Sequence, residues 1–337
     1  MLPQGFKKPQ ASTLFGLVLG LCILLICLVY SVTLGAADIP LDQILTSFIA
    51  FDGSYEHLVI QTIRLPRSLI AIVVGAALAV SGALMQGLTR NPLADPGILG
   101  IESGAALAVV ATIFVFGTSD LSVLTIAAFL GAGATAILVY FLSSLGRGGT
   151  TPLNLTIAGA AIAALISSLT TATLIVSQRT LEEIRFWLAG SLAGRDFNMF
   201  LQALPFIVTG LVVAFALGRQ ITTMSLGEDV AKGLGQQTAW VKIITAISIV
   251  LLAGSSVSLA GPIGFIGLVV PHIVRFFIKA DYRWILPYSA VVGATLLLVA
   301  DIAARVLLKP QELPVGVMTA LVGAPFFVYL AKKKVKK

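Results

Sequence analysis

The chain has 337 residues, 58% of them hydrophobic and only 11% charged, with a formal net charge of +7. A soluble domain needs roughly 25% Asp, Glu, Lys and Arg. This composition, with a mean hydropathy of +1.01, excludes an ordinary soluble fold and points to a bilayer.

Apolar runs recur near residues 13–34, 65–87, 93–117, 121–145, 155–177, 198–218, 240–259, 263–278, 284–308 and 314–331. A bilayer core takes about 20 helical residues to cross. The runs lack the alternation of barrel strands, so each is predicted as a helix. The expected fold class is therefore all-α, a single transmembrane domain over 1–337 with about ten spans. Two runs are irregular. The third opens with Pro96 and Gly97, and the eighth is short and holds Pro271, His272 and Arg275.

Lys7 and Lys8 precede the first run, and Lys332, Lys333, Lys334, Lys336 and Lys337 follow the last. Both termini thus favour the cytoplasm, which demands an even number of crossings. With ten, fifteen of the 22 Lys and Arg fall on the cytoplasmic side. Topology accounts for the positive charge, and a nucleic-acid partner is not implied.

In chain order, the first run is followed by Gly35-Ala36-Ala37, which resembles a signal cleavage site. Its apolar stretch exceeds the roughly 7–15 residues of a signal core, so it is expected to remain as a span. Cys22 and Cys27 lie within it and read as small apolar residues. Arg64-Leu65-Pro66-Arg67 opens the second run, with Pro66 suited to a first helical turn. Two cations there oppose both the helix dipole and the positive-inside bias. Carboxylates on a partner are the expected compensation, and lipid-headgroup anchoring is the alternative.

Glu102 opens the third span, where a helix N-terminus favours an anion and a proton-coupled role is the sharper alternative. The glycines 75, 82, 87, 97, 100, 104, 131 and 133 read as close helix packing. Between the sixth and seventh spans, 219–242 is the most polar long interruption. Ser225 and Glu228 fit a capping box, Asp229 and Lys232 suit the two dipole ends, and Gly233 or Gly235 can end the helix. This predicts a short cytoplasmic helix, either a plain connector or a docking element. His272 reads as a buried structural donor. Asp301 and Arg305, four apart near the outer end of the ninth span, read as an ion pair.

Phosphate-loop, H-E-x-x-H and G-x-S-x-G motifs are absent from the sequence. Any ATP-driven work must come from a partner, and no cofactor, metal or catalytic role is expected of this chain.

Five stretches resemble the FecCD family, permeases that import ferric siderophores, haem and cobalamin with an ATP-binding cassette partner. They are RLPRSLIAIVVGAALAVSGALMQGLTRNPLADPGILGIESGAAL (64–107), SLGEDVAKGLG (225–235), LAGPIGFIGLVVPHIVR (259–275), LLVADIAARVLL (297–308) and ELPVGVMTALVGAPFFVYL (312–330). The resemblance implies a multi-pass permease of the bacterial cytoplasmic (inner) membrane, working as a homodimer or paralogous heterodimer. Two cytoplasmic ATPases, which bind ATP and Mg, and an extracytoplasmic binding protein complete the expected assembly.

It places Arg64, Arg67 and Arg305 against glutamates of the binding protein. It makes 225–235 the ATPase-coupling element, with Ser225, Leu226, Gly227, Glu228, Asp229, Lys232 and Gly235, and Thr150 and Thr151 part of a cytoplasmic gate. Glu102 departs from the family, where a small or neutral polar residue is usual. The expected cargo is a ferric siderophore, with haem or cobalamin as the alternative. An ion-coupled secondary transporter, an intramembrane enzyme or a structural scaffold are the rival classes. The first two usually need intramembrane ionisable or catalytic clusters, which are not visible.

Overall fold

The computed structural model describes residues 11–35, 39–145, 151–278, 280–309 and 311–335. Among them there is no strand. The helices are α1 (Ala11–Thr33), α2 (Leu41–Ile49), α3 (Tyr55–Val59), α4 (Leu65–Thr89), α5 (Ile101–Phe116), α6 (Leu121–Ser144), α7 (Pro152–Val176) and α8 (Gln178–Leu188). They continue with α9 (Phe197–Ala216), α10 (Gly218–Ser225), α11 (Glu228–Gly233), α12 (Thr238–Ala260), α13 (Ile266–Phe277), α14 (Tyr282–Val306) and α15 (Val315–Val335). A π turn, Ile60–Arg64, feeds α4, and a 3-10 turn, Pro96–Leu99, precedes α5.

Seven of these helices are long and apolar enough to cross a membrane, and Ile101–Phe116, Ile266–Phe277 and Val315–Val328 are shorter apolar helices. The two runs singled out as irregular are two of the three short ones. Asp95 caps the 3-10 turn by accepting from the Gly97 N–H at 2.9 Å, which shortens α5 at its start. Gly261 (φ +71°) ends α12, and Phe265 (φ +71°) starts α13 after a non-helical link. Large apolar side chains are exposed along the flanks, among them Phe15, Leu25, Ile137, Ile157 and Ile175. A surface so apolar is compatible with lipid and not with water.

Helix α4 is the axis, packed against α14, α12, α13 and α9. Lipid gives no hydrophobic drive between helices, so close backbone approach must supply the contact. A Cβ at Gly75 would overlap the Gly293 carbonyl, one at Gly82 the Gly267 backbone, and one at Gly104 the Gly131 carbonyl. The expected packing role therefore holds at Gly75, Gly82, Gly104 and Gly131. Gly133 has only one atom near, at 4.0 Å.

Pro271 lies inside α13 and has no N–H, so the Gly267 carbonyl one turn back lacks its helical donor. Gln86 of α4 replaces that donor, its Nε2 lying 3.2 Å from Gly267 O, and accepts in turn from Arg275. Arg275 also donates to Tyr282 Oη at 2.9 Å, and Thr222 Oγ1 accepts from the Tyr282 N–H at 2.9 Å. A polar chain thus runs from the middle of the bundle to α10. Replacing Gln86 with Leu leaves a buried carbonyl unmet and should lower stability by about 1–3 kcal/mol. Melting of the purified variant in detergent checks this, and an unchanged midpoint would contradict it.

Candidate docking and coupling sites at the two ends of the bundle

Three arginines gather at the end where α4 starts and α14 finishes. Arg64, Arg67 and Arg305 are 6%, 7% and 3% exposed. Asp301, fully buried, lies between two of them. Arg67 Nε donates to Asp301 Oδ1 at 2.9 Å, and Arg305 Nε lies 3.1 Å from Asp301 Oδ2. Arg67 also reaches Glu312 Oε2 at 2.6 Å. The ion pair expected between Asp301 and Arg305 is present.

Within the chain itself, each of the three arginines has acceptors. Arg67 takes Asp301 and Glu312. Arg64 donates to the carbonyls of Val32 at 2.8 Å and Thr33 at 2.6 Å. Arg305 donates to those of Ser31 and Leu34, each at 2.9 Å, and to Ser31 Oγ at 2.7 Å. The last carbonyls of a helix lack partners and carry its negative pole. Two guanidinium groups therefore close the end of α1, which explains their place at the start of α4 and the end of α14. Sequence spacing could not show this, because the partners lie more than 30 residues away.

At the opposite end, α10 is anchored by Ile221 and Met224, 0% and 4% exposed. Ser225 is the last residue of α10 and donates to Thr222 O at 2.6 Å. The capping box is therefore corrected. Gly227, with φ +129°, is the N-cap of α11, and Glu228 is its first residue. The glycine is required because a side chain is strained at that φ. Glu228 turns sideways, 2.7 Å from Lys242 Nζ and 3.2 Å from Lys232 Nζ. Its hydrogen bond from Lys242 holds the carboxyl below its ordinary pKa.

The helix ends as the glycine spacing suggested. Gly235 has φ +80°, Gly235 N–H donates to Lys232 O and Gln236 N–H to Ala231 O, the paired bonds of a left-handed cap. Leu226, Val230 and Leu234 are 65%, 48% and 69% exposed on this otherwise polar segment. Asp229 is also exposed.

Thr151 caps α7 by accepting from the Asn154 N–H at 3.1 Å. It lines one pocket with Glu228, Lys242, Arg90 and Met224, so the structure brings it beside α11. Thr150 lies outside the described residues. Glu102 is half-buried in the first turn of α5 and shares a small cavity with Asp95 and Gly267. His272 is half-buried, with Nδ1 2.9 Å from Leu268 O. Among the described residues there is no group of three or more His, Cys, Asp or Glu that could hold a metal.

A bundle of apolar helices with a capped, charge-bearing segment at one end and a buried ion network at the other is the build of a polytopic membrane protein. The profile of the FecCD transport family matches residues 23–333, and the chain belongs to that family. It is 49% identical to the Bacillus subtilis protein named "Probable siderophore transport system permease protein YfiZ", over 98% of this chain and 99% of that one. It is 42% identical to the Fe(3+)-citrate import system permease protein YfmD of the same organism, over 97% of each. The solved structure titled "An inward-facing conformation of a putative metal-chelate type ABC transporter" superposes with a TM-score of 0.84 at 32% identity, covering 96% of this chain and 100% of that one.

Proposed function

We propose that the chain is the permease subunit of an ATP-driven importer of ferric siderophores in the bacterial inner membrane, with ten crossings and both termini cytoplasmic. Family membership carries the class. The α10–α11 segment carries the mechanism. It joins the bundle through Ile221, Met224 and the Tyr282–Thr222 hydrogen bond, yet presents Leu226, Val230 and Leu234 outward. Exposed apolar residues beyond the spans need a protein surface to cover them, and a partner ATPase fits. Its closure on ATP would push α11, and the chain from Thr222 through Tyr282, Arg275 and Gln86 would pass the motion to α13. Thr151 stands beside that segment, as a gate residue should. A second permease copy would complete the passage. No bond is made or broken in this chain.

The arginine end is then extracytoplasmic and receives the binding protein. Arg64, Arg67 and Arg305 keep a small exposed fraction each, so they can meet carboxylates there while Arg64 and Arg305 hold α1. Arg64→Gln, chosen to spare the Asp301 pairs, should weaken binding-protein affinity about tenfold or more, as expected for loss of one charge-assisted bond. If the folded variant binds the protein with unchanged affinity, Arg64 serves only the end of α1. For α11, crosslinking from Lys232 to the ATPase should succeed, and replacing Leu226 and Leu234 with Ser should abolish ATPase co-purification. Retained co-purification would contradict the coupling role. Haem is the second cargo reading, since the hemin transport system permease protein HmuU of Yersinia pestis is 43% identical over 80% of this chain and 81% of that one.

A further inference from the structure

At the arginine end lies a cavity of about 440 Å³, bounded by α5, α6, α8 and the links that lead into α9 and α15. Its walls are mostly apolar, with Ile113, Leu124 and Trp187 among them, and three charged groups face it, Glu183, Glu312 and Arg195. Both carboxylates are engaged elsewhere. Glu183 is 2.9 Å from Arg179, and Glu312 is 2.6 Å from Arg67. Arg195 is not engaged. It is 7% exposed, its Nε has no partner, and among the described residues it is the one buried basic side chain without a hydrogen bond or ion pair.

A buried cation with no counter-ion is costly unless an anion is supplied. Burial lowers the Arg195 pKa to about 10, which still leaves it charged at neutral pH. The cavity volume lies in the range of small-molecule sites, about 300–1,000 Å³, and its apolar walls with one convergent charge are the usual composition of such sites. A guanidinium recognises oxyanions through several donors at once.

We infer that this cavity is a way-station for an anionic iron chelate, whose carboxylate or catecholate oxygens are taken by Arg195. The inference rests on the importer reading and adds a charge preference within the permease itself. A ferric tris-catecholate is a trianion and a ferric tris-hydroxamate is neutral, so the two probe the same cavity with and without charge.

The test uses the full permease in lipid nanodiscs with Trp240 and Trp284 replaced by Phe, so that Trp187 in the cavity wall reports binding by quenching. Titration with ferric tris-catecholate should saturate. Arg195→Gln should raise the half-saturation concentration about 10- to 100-fold, the loss expected for a charge-assisted bond, and Arg195→Lys should recover much of it. Titration with the neutral chelate should be the same in all three. Removing an uncompensated buried cation should leave the melting temperature unchanged or higher, whereas a structural arginine would lower it.

Equal half-saturation in wild type and Arg195→Gln would overturn the inference. So would a variant that weakens docking of the empty binding protein while leaving the chelate titration unmoved, since the anion would then be a protein carboxylate. Failure of the importer reading is separate. It would appear as absence of binding-protein-stimulated ATP hydrolysis in the wild-type complex, whatever the titration shows.

Discussion

Asp301→Asn is expected to cost about 3–5 kcal/mol, the range for breaking a buried ion pair by removing one partner. Asp301 is fully buried and stands between Arg67 and Arg305, and its carboxylate offsets two cations that are themselves 7% and 3% exposed. With Asn, Arg67 retains Glu312, but Arg305 retains only carbonyls and a hydroxyl. Repulsion between the two guanidinium groups then acts without compensation in a low-dielectric setting. The consequence reaches α1, because Arg305 holds its last carbonyls. The variant should be recovered at low yield, with a much lower melting temperature and faster hydrogen exchange near residues 28–34. Adding Arg67→Met should restore part of the loss, since the double variant removes the repulsion between the two guanidinium groups. A single variant that melts like wild type would show that the network contributes little.

Gly82→Val is expected to be as severe by a different route. The Cβ position at Gly82 overlaps backbone atoms of Gly267, and no flexible side chain stands there to yield. Ordinary overpacking costs about 1–3 kcal/mol because side chains can shift. Here two backbones must separate, and the strain falls where Gln86 meets the Gly267 carbonyl, so the hydrogen bond at 3.2 Å is lost as well. The cost should lie above that range, and uptake should fall with it. Gly133→Ala is the control, because it meets only one atom at 4.0 Å. Comparable uptake and melting in both variants would remove the α4–α13 crossing from the mechanism.

Much of the fold was legible because burial in lipid writes itself as continuous apolar runs. Each of the ten predicted runs overlaps an apolar helix, and the two irregular runs became short helices at Pro and Gly positions. Helices α2, α3, α8 and α10 were not foreseen. They are short, and α8 carries Arg179, Glu182, Glu183 and Arg185, so a search for apolar spans passes over them. Helix periodicity was the signal that could have found them.

The sites divide along the same line. Asp301 and Arg305 are four apart, and that pair was readable, whereas Arg67 and Asp301 are separated by 234 residues and no local pattern joins them. The arginines stood out in the sequence as charge set against a helix dipole, and the carboxylates and carbonyls of the same chain that meet them lie too far away in sequence for any local pattern to show. At α11 the acid–base polarity and the closing glycine were legible from the dipole rule. The N-cap was not, because Gly227 competes with Ser225 and the end of α10 takes the serine. Arg195 carried no sequence signal beyond its charge. Its isolation is a property of the packed cavity.

The most direct test of the importer mechanism is ATP hydrolysis by the permease co-purified with its ATPase in lipid nanodiscs. The binding protein is added empty, or loaded with a ferric siderophore, haem or cobalamin. Stimulation by the siderophore-loaded form above the empty one is the expected result, and it should vanish with Leu226 and Leu234 replaced by Ser. An ATPase that never co-purifies, with hydrolysis indifferent to every loaded form, would contradict the coupling role of α11 and return the chain to the secondary-transporter class.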